Sequence, residues 1–213
     1  RFAQIGMDRL HKTIMDVLAY LETPGLADEG KGFELAELQP VVKEIAASLE
    51  IDQIAVACCG ELANSCLALS RRAMEMVLWE LLENAHKFHP QKSPSVDLLV
   101  ITAKDGMAQL QIRDDGLTLS PAQFSKLWMP YYQGEKYFSG EVPGMGLGLA
   151  QVASLVWSVG GKCRAYNRED GPGLVVELLL PLQEMPQVIV NPQTEPIILG
   201  EEKANVRIKN PDD

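Results

Sequence analysis

The sequence predicts an α/β domain: a two-layer sandwich of a mixed sheet covered by helices on one face, preceded by a long bundle-forming helix. Three observations predict it. Apolar residues recur at helical spacing in several separated stretches. Between those stretches lie short β-branched runs joined by turn-forming residues. The chain of 213 residues is 46% hydrophobic, enough for one sizeable core. A net charge of −10 argues against a broad nucleic-acid or membrane surface, because both demand a basic face.

Residues 1–22 read as one helix, with Ala3, Met7, Leu10, Ile14, Val17 and Leu21 on a heptad seam. A lone helix of this length is marginal in water, so the seam is expected to pack against other helices. Thr23-Pro24-Gly25 stops it, and the polar, Gly-containing stretch 23–32 reads as a linker. A second helix is predicted from about residue 35 to 49, with Pro40 in its first turns. Residues 54–58 and 66–69 read as strands. Ser70 is placed to cap a long helix running to Phe88, whose inward face carries Met74, Val77, Leu78, Leu81, Leu82 and Ala85.

Strands over 96–103 and 107–113 flank Lys104-Asp105-Gly106, a hairpin signal. Ser120-Pro121 opens a short helix to about Trp128. Residues 129–145 hold five Gly or Pro among aromatics and charges, which predicts a mobile loop. A helix follows Gly146 to about Val159, Gly160-Gly161 ends it, and strands are expected over 162–167 and 173–180. The tail from 183 to 213 contains four prolines and reads as a loosely ordered end or an added edge strand. The cysteines, Cys58, Cys59, Cys66 and Cys163, form no C-x-x-C pair and read as small buried hydrophobes. No apolar run is long enough for a membrane span, and a chain that begins with Arg1 reads as a piece of a longer, cytoplasmic protein whose remainder can be membrane-attached.

Four segments carry chemistry. Glu80, Asn84 and Lys87 fall at i, i+4 and i+7 on one helix face, a stripe of carboxylate, amide and ammonium. Oxygen donors suit a hard cation and the ammonium suits phosphate; a plain solvated helix face is the competing reading. Asp114-Asp115-Gly116 ends a strand with an acceptor and a tight turn, or is an ordinary Asp-Gly turn. Leu127-Trp128-Met129-Pro130-Tyr131-Tyr132 is an aromatic box read mainly as packing. In Gly144-Met145-Gly146-Leu147-Gly148, glycines at every second position precede a helix, so backbone N–H groups at the positive helix end can meet an anion.

The order and spacing of these segments over residues 33–182 resembles the catalytic and ATP-binding domain of sensor histidine kinases, within the wider ATPase group of gyrase and heat-shock chaperones. Residues 80–88 match its N box, 114–116 its first glycine box, 127–132 its F box and 144–149 its second glycine box. The resemblance implies that Asn84 holds a Mg²⁺ ion bridging the phosphates of ATP and that Lys87 contacts phosphate. It implies that Asp114 accepts from the adenine amino group beside Gly116, and that Gly144, Gly146, Leu147 and Gly148 form the phosphate loop. Residues 133–145 become a lid whose one cation is Lys136, and Glu80 becomes the catalytic carboxylate that assists or positions the acceptor. Thr118 stands where the family has a further glycine, which implies a crowded adenine pocket.

The resemblance also implies a domain plan: dimerisation segment 1–22, linker 23–32, ATP-binding domain 33–182 and tail 183–213. A homodimer through the N-terminal helix and a cognate response regulator are the implied partners, with no nucleic acid and no direct membrane contact. The phospho-accepting histidine lies on an upstream helix outside this chain, so this chain alone is not expected to label itself. An alternative register makes residues 1–22 that helix and puts Asp8 at the acceptor position. His11, followed by Lys12, reads as a solvent-facing residue, and His86 and His89 as surface residues near the site. A degenerate, non-catalytic signalling and dimerisation module is the alternative function, and an ATPase that hydrolyses ATP to drive conformational change is a weaker third.

Overall fold

The computed structural model describes Ile14, Val17, residues 25–27, 31–132 and 145–183. The heptad segment lies outside the described residues apart from Ile14 and Val17, both helical, with Ile14 exposed. The tail beyond Gln183, Gly144 and Lys136 lie outside them as well.

The described elements run β1 (Gly32–Glu34), α1 (Leu38–Ser48), β2 (Gln53–Cys58), β3 (Cys66–Ser70), α2 (Arg71–Phe88), β4 (Ser95–Thr102), β5 (Met107–Asp114), α3 (Pro121–Phe124), α4 (Gly148–Ser158), β6 (Lys162–Asn167) and β7 (Leu174–Gln183). The seven-stranded sheet has the order β1-β3-β7-β5-β4-β2, and β6 also pairs with β7. The β2–β4 pair is parallel, with Ile54 opposite Val96; the other pairs are antiparallel, which makes the sheet mixed as expected.

Alternation builds the two layers. Val96, Leu98 and Val100 of β4, Ala108, Leu110 and Ile112 of β5, and Val176, Leu178 and Leu180 of β7 turn to one face and are buried. That face packs against α1, α2 and α4 in one core cluster. The opposite face carries Asp97, Gln111, Arg113 and Glu177. Leu78 and Leu82 of α2 are fully buried, each contributing about 2 kcal/mol. The β4–β5 hairpin closes as its turn residues predict: Asp105 and Gly106 both take positive φ, 59° and 70°.

Four expectations need correction. Residues 35–37 form a 3-10 turn, and the α-helix begins only at Leu38, because β1 pairing with β3 holds the chain up to Glu34 in an extended course. The helix opened by Ser120-Pro121 stops at Phe124. The Ser120–Gln123 capping box fixes its start, but no buried residue holds it to the core, so turns complete the path to Trp128. The linker is not simply a solvated tether. Leu26 and Ala27 are buried, the Ser70 hydroxyl donates to the Leu26 carbonyl at 2.6 Å, and the Ser70 N–H donates to the Ala27 carbonyl at 3.1 Å. Of the four cysteines only Cys66 is buried; Cys58, Cys59 and Cys163 are half-buried, all four as free thiols.

Candidate functional site

Helix α2 is the spine of the site. Ser70 caps it, its oxygen accepting from the Ala73 N–H at 3.1 Å. Its buried face is set by the apolar residues predicted for it, together with Ala73. The polar stripe Glu80, Asn84 and Lys87 runs along one edge of that buried face, and all three side chains are half-buried.

At the Glu80 end, α2 packs on α4. Gly148 is the first residue of α4, and a Cβ there would sit 3.0 Å from the Glu80 Cδ and closer still to a carboxylate oxygen. The missing side chain is what lets the carboxylate lie against the positive end of α4. Just before it, Leu147 is buried and Gly146 takes φ 69°. A Cβ on Gly146 would meet the Tyr132 carbonyl oxygen at 2.5 Å. The Tyr131 N–H donates to the Gly146 carbonyl at 2.9 Å, and Tyr131 itself holds φ 62°, a region that costs a non-glycine residue about 1–2 kcal/mol. The chain thus leaves at Tyr132 and returns at Met145 side by side. In the aromatic box, Trp128 packs on the core as expected, whereas Met129 and Tyr131 are exposed, so packing accounts for only part of that box.

At the other end of α2, residues 89–95 bring the chain to the Asp114–Gly116 turn. The Asp114 carboxylate is largely buried, and burial pushes its pKa above the ordinary 3.8; the Gly116 and Leu174 N–H groups that donate to it, and Arg168 nearby, pull the other way. The Gly116 N–H reaches Asp114 Oδ1 at 2.8 Å. A Cβ on Gly116 would crowd that oxygen at 2.9 Å, so this glycine is required by its own turn. Thr118 is exposed.

Three residues support this turn, two of them not singled out from the sequence and the third, His89, expected at the surface. Gly173, at φ 114°, presses on the Asp114–Asp115 backbone, where a Cβ would lie 2.8 Å from the Asp114 carbonyl carbon. Arg168 Nη1 donates to the Asp114 carbonyl at 3.3 Å, and Arg168 Nε bonds Asp170 at 3.0 Å, holding that carboxyl down to about 2. The third is His89. It is 9% exposed, not a surface residue, and its Nε2 lies 3.5 Å from Asp115 Oδ1. The Gly171-Pro172-Gly173 turn was a legible signal for the first; nothing in the local pattern around His89 distinguishes it from a helix-end residue.

Asn84 and Lys87 therefore lie between the Glu80–Gly148 contact, shaped by a missing side chain, and the packing of His89 beside Gly116, about 13 Å apart by helical rise. Lys87 Nζ sits 5.5 Å from the Phe88 ring centroid. The Lys92 ammonium bonds the Lys87 carbonyl and closes the last turn of α2. Among the described residues no cluster of three or more His, Cys, Asp or Glu side chains could hold a metal by itself. The donors present, an amide oxygen and a carboxylate one turn apart, suit a hard cation that takes most of its shell from water and substrate phosphates. Among the described residues no helix is long and apolar enough to cross a membrane.

Comparison with known proteins places this geometry. The family model described as "Histidine kinase-, DNA gyrase B-, and HSP90-like ATPase" matches residues 70–184, more than half of the chain. The autoinducer 2 sensor kinase/phosphatase LuxQ of Vibrio cholerae is 33% identical over 132 residues, 58% of this chain and 15% of that protein. The sensor protein KdpD of Escherichia coli is 36% identical over 115 residues, 54% of this chain and 12% of that protein. The chain thus spans well under a quarter of the length of these relatives. Among solved structures, full-length ShkA in complex with AMPPNP superposes with a TM-score of 0.64 at 22% identity, over 82% of this chain and 36% of that one. The mycobacterial sensor histidine kinase MprB superposes with a TM-score of 0.56 at 21% identity, over 70% and 96%. These likenesses support the fold. With more than half its length matched, from the cap of α2 to just past the end of β7, this chain belongs to the histidine kinase-, DNA gyrase B- and HSP90-like ATPase family.

Proposed function

We propose that this chain is the ATP-binding kinase domain of a two-component sensor histidine kinase, passing the γ-phosphate of ATP to a histidine on an upstream dimerisation helix. The observation that carries the reading is the placement of the polar stripe of α2 between the Gly146–Gly148 segment and the Asp114–Gly116 turn. One relative is named as a sensor kinase/phosphatase and another as a histidine protein kinase, and one fold neighbour was solved with a nucleotide analogue.

In this reading Asp114 accepts from the adenine amino group, and Gly116 keeps the turn tight. The N–H groups of Gly144, Gly146, Leu147 and Gly148 face phosphate, and Lys87 adds a cation. Asn84 would supply an oxygen to Mg²⁺, which when bound would neutralise phosphate charge. Glu80, held beside the positive end of α4, positions the attacking imidazole or takes its proton. Lys136 contributes the lid cation. Placement and charge neutralisation carry phosphoryl transfer, so a strong nucleophile from this chain is not required. The domain plan follows the same reading: residues 1–22 dimerise, 23–32 connect, 33–182 bind ATP and 183–213 form a tail, with a response regulator as the downstream partner.

The test is incubation of the parent protein, with its upstream helix, with γ-labelled ATP and Mg²⁺. The reading expects acid-labile, base-stable label on the protein, lost with Asn84→Ala. Absence of label together with absence of ATP binding would favour the non-catalytic module. Phosphate release without protein label would favour an ATPase that drives conformational change.

A further inference from the structure

We propose that His89 is a positioning residue for the base end of the nucleotide site, acting through Asp115 on the Asp114–Gly116 turn and so setting discrimination between adenine and guanine. The proposal rests on the reading of Asp114 as the adenine acceptor.

His89 terminates α2 in an extended conformation, φ −70° and ψ 132°, so its ring leaves the helix and turns into the protein. Nδ1 accepts from the Gln91 N–H at 3.3 Å and the Ser93 N–H at 3.2 Å. With Nδ1 an acceptor twice over, the ring proton is assigned to Nε2, which faces Asp115 Oδ1 at 3.5 Å. The same carboxylate oxygen accepts from the Ser95 N–H at 2.9 Å, at the first residue of β4. The His89 Cα also lies 3.8 Å from where a Cβ on Gly116 would stand. One buried side chain thus ties the end of α2, the 91–93 loop, the start of β4 and the turn that presents Asp114. Asp115 is the adjoining residue of that turn, and its carboxylate joins this network. Among the described residues no hydrogen bond or ion pair joins this set to the Gly146–Gly148 segment, so its influence belongs to the base end.

Two substitutions divide the role. His89→Asn keeps an acceptor near the Nδ1 position for the two loop N–H groups and loses the reach to Asp115. His89→Gln can place its amide N–H near the Nε2 position and gives up the loop bonds. Calorimetric affinities for ATP, GTP and inorganic tripolyphosphate, with Mg²⁺, are measured on the wild-type chain and both variants, alongside the NMR shift of the Gly116 amide. The expected result for His89→Asn is an ATP affinity about 3- to 10-fold lower, an ATP-over-GTP ratio narrowed by the same factor, unchanged tripolyphosphate binding and a displaced Gly116 amide. His89→Gln is expected to restore the ratio even where it lowers Tm. Equal losses for all three ligands in both variants, or an intact ratio and unmoved Gly116 amide in His89→Asn, would overturn the proposal. If the wild-type chain binds no ATP, the nucleotide reading fails, and the specificity role fails with it; the Gly116 amide then still decides whether His89 sets the turn.

Discussion

The two ends of the polar stripe on α2 are built in opposite ways. At the Asp114–Gly116 end, side chains do the fixing: Asp115, His89 and Arg168 each bond backbone groups or one another, and the Asp114 carboxylate is buried with two N–H donors. At the Gly146–Gly148 end the order comes from missing side chains. Gly146 lets the backbone meet Tyr131 and Tyr132, and Gly148 admits the Glu80 carboxylate. A site made of polar side chains selects, because each buried donor or acceptor left unpaired is costly. A site made of bare backbone admits any group of the right charge. In the proposed reading, base recognition falls to the first end and phosphate accommodation to the second.

The largest effect should come from breaking the selective end. Asp114→Ala is expected to lower ATP affinity about 10- to 100-fold, the scale of a lost hydrogen bond to a charged group, in a calorimetric titration. A loss no larger than that of an exposed control would remove Asp114 from the site. Gly173→Ala attacks the same end through the backbone: strain at φ 114° and contact with the Asp114 carbonyl should cost about 1–3 kcal/mol or more in denaturant unfolding. An unchanged midpoint would show that the turn yields easily.

At the other end, Gly148→Ala should displace the Glu80 carboxylate. A long side chain can give way, so phosphoryl transfer by the parent protein should fall more than Tm does. Equal loss of stability and transfer would make this contact only structural.

An ionised Asp114 carboxylate accepts more strongly from an amino group than the protonated acid does. Because its folded pKa is raised, ATP affinity should decline on acidification at a pH above the ordinary aspartate value of 3.8. The stability sign runs opposite: a buried carboxyl with a raised pKa favours the fold below its ordinary value, and that contribution is lost as pH rises through the folded one. Tripolyphosphate binding should not follow the Asp114 titration; a matching profile would merge the two ends. The smallest effect belongs to Thr118→Gly, which should change ATP affinity less than about twofold, since Thr118 is exposed. A clear gain would restore the crowded adenine pocket implied by resemblance.

The same contrast explains what could be read from the amino-acid order. Gly146 and Gly148 are visible in the sequence because each omits a side chain for which its neighbour, the Tyr132 carbonyl or the Glu80 carboxylate, leaves no room. The helix and hairpins were legible from periodicity, with Ser70 and Asp105-Gly106 marking their ends. His89 was not legible, because its partners, Asp115 and the 91–93 loop, are assembled by the packing of α2 against β4 and β5. Leu26 and Ala27 escaped for the same reason: their burial depends on Ser70, 44 residues away. The parallel pairing of β2 with β4 is likewise set by topology, since its two strands are separated by β3 and α2.

The most direct measurement is calorimetric titration of this chain with ATP in Mg²⁺, run beside Asn84→Ala and Asp114→Ala. A nucleotide held along the C-terminal half of α2, between Glu80 and the Asp114–Gly116 turn, predicts one-site binding by the wild-type chain and its loss in both variants. Unchanged binding in both, or no binding by the wild-type chain, would contradict it.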